Sequence, residues 1–217
     1  MPLAIFDLDD TLIDGDSSSL FLRYQVEHQL AGADMLAREA AMMADYRAGR
    51  LAMDDYMAFT LQPLGQCTTE QVAHWADDYL RTWILPRVFP QAHAALARYR
   101  AEGWRIVVVS ATGEHLVRPI AAALGVDDVL AIQLETHAGR YTGRTTGTLT
   151  YQHGKVLRLQ AWLSSQHETL DGSHGYSDSI NDVPLLEAVS QAHVINPDAL
   201  LLAVADERRW QTLAWRH

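Results

Sequence analysis

The chain has 217 residues, 48% of them hydrophobic, enough to bury one good core and a small accessory domain. Its formal net charge of -10 comes without any basic block, which argues against nucleic acid or an anionic membrane as a partner. The lone cysteine, Cys67, excludes an intramolecular disulfide, and no apolar run nears the ~20 residues of a bilayer span or the long apolar stretch of a signal peptide, so a cytoplasmic protein is expected.

In chain order, Leu3 to Leu8 reads as an apolar strand, followed by a short turn at Asp14-Gly15-Asp16-Ser17. From Ser18 to about Leu85 the pattern is helical throughout, rich in Ala, Leu, Met and Arg. Helix starts fall at Asp34, at Met53-Asp54 and at Thr68-Thr69-Glu70, the last with the look of a capping arrangement. Gly49, Pro63-Leu64-Gly65 and Pro86 break the stretch into roughly four helices. After Pro90, helix and strand alternate: a helix to Ala101, a strand from Arg105 to Val109, a helix from Glu114 to Leu124, a strand near Val129 to Gln133. That is the βαβ signature of a parallel sheet, so the fold class is α/β. Thr136 to Tyr151, with Gly139, Gly143 and Gly147 among β-prone residues, predicts a β-hairpin excursion, and Val183 to Val189 predicts a helix.

The chemistry-bearing residues gather at strand ends. In Ile5-Phe6-Asp7-Leu8-Asp9-Asp10-Thr11-Leu12 the carboxylates of Asp7 and Asp9 are two apart, so both project to one face as the strand gives way to a loop. Ligands of parallel α/β sheets bind at that edge. A second acidic cluster, Gly175-Tyr176-Ser177-Asp178-Ser179-Ile180-Asn181-Asp182, precedes a helical run and spaces Asp178 and Asp182 for one face of a loop-to-helix start. Four aspartates from two strand ends make a hard, oxygen-rich site suited to Mg²⁺. Between them, Val107-Val108-Val109-Ser110-Ala111-Thr112 ends a buried-type strand in hydroxyls, and Lys155 stands in His153-Gly154-Lys155-Val156. A hydroxyl, helix-start amides and one lysine are the means of holding a phosphoryl group. The ten histidines show no zinc spacing, and the tryptophans and methionines read as helical packing residues.

Together these residues resemble the haloacid dehalogenase superfamily of phosphatases, whose four motifs are present in order from Phe6 to the final helices. The flanking pattern is similar to the phosphoserine-phosphatase-like subfamily. Within it, Tyr176 to Leu186 and Gly154-Lys155-Val156-Leu157-Arg158-Leu159 resemble a bacterial branch that includes a histidinol-phosphate phosphatase. The resemblance implies a Rossmann-like core of residues 1–15 and 86–217 carrying an all-helical cap of residues 16–85, inserted directly above the pocket mouth. It implies Asp7 as nucleophile and Asp9 as the acid that protonates the leaving alkoxide and then deprotonates water. It also implies Mg²⁺ held by Asp7, the Asp9 carbonyl and Asp178, with Asp182 in support. Leu8, Ser110, Ala111, Lys155 and Asn181 are then the phosphate-binding set. A carboxylate facing a phosphate dianion at 4 Å costs roughly 8 kcal/mol at an effective dielectric of 20, which the metal and the lysine must offset.

The resemblance also bears on substrate, a small-molecule phosphomonoester. Phosphoserine phosphatases place an acid nine residues after the nucleophile to hold the ammonium, and here that position is Asp16. Their carboxylate-binding arginine falls nine residues after a glycine, which from Gly49 lands on Ala58, with Arg47 or Arg50 as neighbouring substitutes. An amine-bearing ester without a carboxylate is therefore expected, histidinol phosphate first and phosphoserine second. A phosphotransferase would use the same residues. A non-enzymatic phosphate-binding module would be expected to lack a catalytic aspartate, and none is missing. Oligomeric state is not encoded in these patterns.

Overall fold

The computed structural model describes residues 1–126 and 128–217. Seven strands, β1 (Leu3–Phe6), β2 (Arg105–Gly113), β3 (Asp128–His137), β4 (Arg140–Thr146), β5 (His174–Ser177), β6 (Gln191–Ile195) and β7 (Gln211–Leu213), form one sheet in the order β4-β3-β2-β1-β5-β6-β7. All neighbours run parallel except the β3–β4 hairpin. β1 is buried along its length because helices cover both faces of the sheet. Leu3, Ile5, Val107 and Val109 pack with Leu159 and Leu163 on one face, while Ala4, Phe6, Ile106 and Val108 join Leu96, Tyr99, Val117 and Ile120 on the other.

Between β1 and the rest of the sheet the chain is helical: α1 (Ser17–Glu27), α2 (Asp34–Arg47), α3 (Met53–Thr60) and α4 (Thr69–Tyr79), then a π turn at Leu80–Ile84 and a 3₁₀ turn at Leu85–Arg87. The expected boundaries hold, and the capping box at α4 is complete, Thr68 accepting from the Gln71 amide while Gln71 caps the Thr68 N–H. The remaining helices, α5 (Pro90–Ala101), α6 (Glu114–Ala123), α7 (His153–Gln166), α8 (Val183–Ala188) and α9 (Ala199–Arg208), alternate with the strands. No helix among the described residues is long and apolar enough to cross a membrane.

The hairpin is more than an excursion. It lengthens β3 beyond the expected Gln133, and its turn reaches the α3–α4 connection. There Gln66 N donates to Tyr141 O at 2.9 Å, Tyr141 N to Cys67 O at 3.0 Å, Thr69 N to Gly139 O at 2.9 Å, and the Arg140 guanidinium to Gln66 O at 2.7 Å. The helical segment is thus hydrogen-bonded to the sheet as well as covalently joined to it. β6, α9 and β7 were not anticipated from the sequence, and the short, partly exposed β7 carries little pattern to read.

Candidate active site

The strand order changes direction at β1, with β2 on one side and β5 on the other, so the carboxyl edge of β1 is a topological switch point. Asp7 stands there, its amide donating to Tyr176 O at 2.9 Å, which keeps the chain extended for one residue past the strand. Lys155 reaches it from the first turn of α7: Nζ lies 2.8 Å from Asp7 Oδ1 and 2.6 Å from Asp182 Oδ2, and the lysine is only 1% exposed. Asp182 Oδ2 also accepts from Ser177 Oγ at 2.7 Å. Helix α7 comes in so close that a Cβ at Gly154 would collide with the Leu149 carbonyl oxygen, which explains the glycine before Lys155. Burial pushes the Asp7 carboxyl up to about 7 against the pull of Lys155, with Asp182 and Asp9 adding to the rise. Burial works against the Lys155 charge, yet Asp182 and Asp7 together hold its pKa above the ordinary lysine value.

Asp9 faces the same edge and is fixed from both sides. The Ser17 amide donates to Oδ1 at 2.7 Å, the Thr112 hydroxyl to Oδ2 at 2.8 Å, and Ser110 Oγ stands 3.5 Å from Oδ2. Ser110 itself accepts from Thr112 N at 3.0 Å, and Thr150 Oγ1 donates to the Ser110 carbonyl at 2.6 Å. Burial raises the Asp9 pKa, while the Ser17 and Thr112 hydrogen bonds draw it down.

The downstream cluster divides. Asp178 Oδ1 accepts from Thr11 Oγ1 at 3.0 Å, whereas Asp182 turns to Lys155 and Ser177, so the two do not present one shared face. Asn181 is engaged by other residues: Nδ2 donates to Tyr46 O at 3.0 Å, and Oδ1 accepts from Tyr151 Oη at 3.0 Å and Gln152 Nε2 at 3.1 Å. Gln152 Nε2 also donates to Gly49 O at 3.2 Å, from a residue whose φ of 48° is left-handed. Leu8 and Ala111 flank the aspartates; the Leu8 N–H has no hydrogen-bond partner among the described residues, and Ala111 lines the space beside Asp7.

The donor set suits a hard cation. Asp178 keeps one carboxylate oxygen without a hydrogen-bond donor among the described residues, and Asp7 Oδ1, whose one donor is Lys155, keeps a second lone pair. Burial, then Asp7, Asp10 and Asp182, raise Asp178 well above the usual carboxylate range, the mark of negative charge lacking a partner. No three His, Cys, Asp or Glu side chains among the described residues cluster tightly enough to hold a metal by themselves. Two carboxylates, the Asp9 carbonyl, water and substrate oxygens match Mg²⁺, which keeps several waters and takes few protein ligands.

A cavity of about 550 Å³ opens beside this edge, lined by Asp9, Asp10, Asp16, Glu39, Asp178 and Asp198, among others, with the exposed Arg23 and Arg47 at its mouth. A second, small space of about 20 Å³ lies beside Asp7 and Asp9, lined by Met43, Tyr46, Met53 and Tyr56 of the helical segment and by Asp16. Asp16 is the N-cap of α1, accepting from Ser19 N at 2.7 Å, and burial, then Asp9, push its carboxyl up to about 8. Ala58 is exposed and Arg50 pairs outward with Asp45 at 3.0 Å, leaving Arg47 as the arginine of the three positions that meets the cavity. Sequence reasoning did not assign roles to Ser17, Thr112, Ser177 or Glu39; of these, Thr112 had a signal, as the second hydroxyl ending a buried strand.

The chain matches the haloacid dehalogenase-like hydrolase family over residues 4–187. The chain belongs to that family. It is an enzyme of the hydrolase class, built on the α/β fold expected from its sequence. Among similar proteins, a histidinol-phosphatase of Neisseria meningitidis is 35% identical over 219 residues, covering 99% of this chain and 99% of that protein. A phosphoserine phosphatase of Mycobacterium tuberculosis is 29% identical over 218 residues, covering 98% of this chain and 70% of that protein. A structure from Bordetella pertussis, of a protein of unknown function, aligns with a TM-score of 0.90 at 35% identity, covering 98% of this chain and 97% of that one. A substrate-bound phosphoserine phosphatase complex aligns at 0.71 with 18% identity, covering 98% and 92%, a likeness of fold.

Proposed function

We propose that this haloacid dehalogenase-like phosphatase hydrolyses a small phosphomonoester in two steps through Asp7. The observation that carries the reading is Asp7 itself, with Lys155 on one oxygen and the other free beside a small space it shares with Asp9. The free Asp7 oxygen attacks phosphorus, the bond to the ester oxygen breaks, and Asp9 gives its proton to the departing alkoxide. Asp9 then takes a proton from water, whose oxygen attacks phosphorus and breaks the bond to Asp7, releasing phosphate. Splitting the reaction this way replaces one difficult displacement with two easier ones. Lys155, Ser110 and the amides of Leu8 and Ala111 hold the phosphoryl oxygens. Mg²⁺ on Asp7, Asp178 and the Asp9 carbonyl supplies charge neutralisation when bound.

Residues 16–85 act in this reading as a cap over a core of 1–15 and 86–217. The substrate is an amine-bearing ester: the cavity is dominated by carboxylates, Asp16 among them, and the 35% identical relative is a histidinol-phosphatase. Histidinol phosphate is the leading candidate. Arg47 at the mouth keeps phosphoserine as the second. The test is hydrolysis of an aryl phosphate and of a panel of phosphorylated metabolites with Mg²⁺ or with chelator. Activity that needs Mg²⁺, and that disappears in a folded Asp7→Asn protein, is the expected result; turnover by that variant would remove Asp7 from its role.

A further inference from the structure

Glu39 lies on α2, far in sequence from every motif, yet it faces the cavity and is only 6% exposed. No lysine, arginine or histidine pairs with it among the described residues. Its partner is the Ser19 hydroxyl, which donates to Oε1. The amide of the same serine donates to Asp16 Oδ1 at 2.7 Å. Ser19 therefore straps together two carboxylates from different helices and leaves one oxygen of each uncommitted.

Tyr56 on α3 supplies a second, independent sign. It is 4% exposed, walls the small space with Asp7 and Asp16, and its hydroxyl has no hydrogen-bond partner among the described residues. Tyr56 and Asp16 line the same small space, and Glu39 joins them through Ser19, the residue that also bonds Asp16. Buried polar groups are normally satisfied, and a hydroxyl with the Ser18 and Ser19 side chains beside it but in hydrogen-bond geometry with neither, next to two half-used carboxylates, leaves room for an N–H donor from a ligand.

We propose that Glu39 and Tyr56, with Asp16, form a subsite that receives a cationic nitrogen group, ammonium or imidazolium, carried by the leaving alcohol. Each member offers an acceptor oxygen, so a cation with several N–H donors satisfies all three. A neutral alcohol leaves the carboxylates unpaired, and an anionic one adds repulsion. Glu39 and Tyr56 are thus specificity-determining residues, an inference that rests on the phosphatase reading.

The test compares kcat/KM for 2-aminoethyl phosphate and for its near-isostere, propyl phosphate. Wild-type enzyme should favour the cationic ester by about tenfold or more. Glu39→Gln, whose amide oxygen can still accept from Ser19, should cut that ratio about tenfold, mainly through KM for the cationic ester. Tyr56→Phe removes one oxygen and no charge, should cut the ratio about threefold, and carries the test should Glu39→Gln fail to fold. A wild-type protein that hydrolyses neither ester nor an aryl phosphate would sink the phosphatase reading. Equal hydrolysis of both esters, or a ratio unchanged in the folded variants, would overturn this inference alone.

Discussion

The Thr112 hydroxyl donates to Asp9 Oδ2 at 2.8 Å across the β1–β2 step of the sheet, while the Ser17 amide holds Oδ1 from the start of α1. Asp9, the proposed acid–base group, is therefore positioned jointly by the sheet and by the first helix after β1. Thr112→Val keeps the shape of the side chain and removes the donor. A fall in kcat of about 10–100-fold with an unchanged melting curve is expected, since a positioned acid contributes about 10²–10⁴-fold. An unaltered kcat would show that Ser17 alone suffices.

Among the described residues, Lys155 is the one cation bonded to both Asp7 and Asp182. Removing it by Lys155→Met keeps most of the apolar stem and leaves two carboxylates buried and unmatched, a loss of about 3–5 kcal/mol in metal-free protein. Adding Asp182→Asn should restore part of that stability but none of the activity. Urea denaturation of the single and double variants reads the coupling; melting of Lys155→Met at the wild-type midpoint would contradict it.

His115 gives a stability prediction with a definite sign. Burial lowers its pKa from 6.5 to about 3, and Nδ1 has no partner among the described residues. Because the folded value lies below the unfolded one, its contribution is intact above pH 6.5 and is lost as pH falls from 6.5 toward 3. Each pH unit in that window is worth about 1.4 kcal/mol, so about 2 kcal/mol is forfeited by pH 5. His115→Phe should not suffer that loss. Denaturant midpoints of both proteins at pH 7 and pH 5 decide it, and parallel declines would count against the prediction.

Asn181 and Gln152 fasten the helical segment to the core through Tyr46 O at 3.0 Å and Gly49 O at 3.2 Å. Asn181→Ala should loosen that edge, raising KM several-fold with a smaller effect on kcat. Small-angle scattering with and without a phosphate analogue should then show a larger difference than in wild type. Identical scattering and KM in the two proteins would mean that these bonds do not govern closure.

Much of the site was legible because its parts are contiguous in sequence and sit at strand ends. Asp7 and Asp9 follow an apolar run, Ser110 ends another, and Thr68 with Gln71 announces α4 locally. What stayed hidden is what depends on long-range packing. Asp178 and Asp182 share a spacing but take different partners because Lys155 and Thr11 approach from different elements. Asn181 looks like a phosphate ligand in the motif, yet the nearby α2 carbonyl of Tyr46 claims its amide. Glu39 is one acid in an ordinary amphipathic helix, and only the position of Ser19 sets it apart.

The hydrogen bonds between the hairpin and the Gln66–Thr69 stretch tie one flank of the helical segment to the sheet. Any rocking of the four helices is restrained at that seam and again at the end of α2, where Tyr46 O and Gly49 O accept from Asn181 and Gln152. Under the proposed reaction, substrate would enter and the freed alcohol leave on the side lined by Arg23 and Arg47. A shortened hairpin would not merely trim a surface loop; it would turn a swinging door into a loose one.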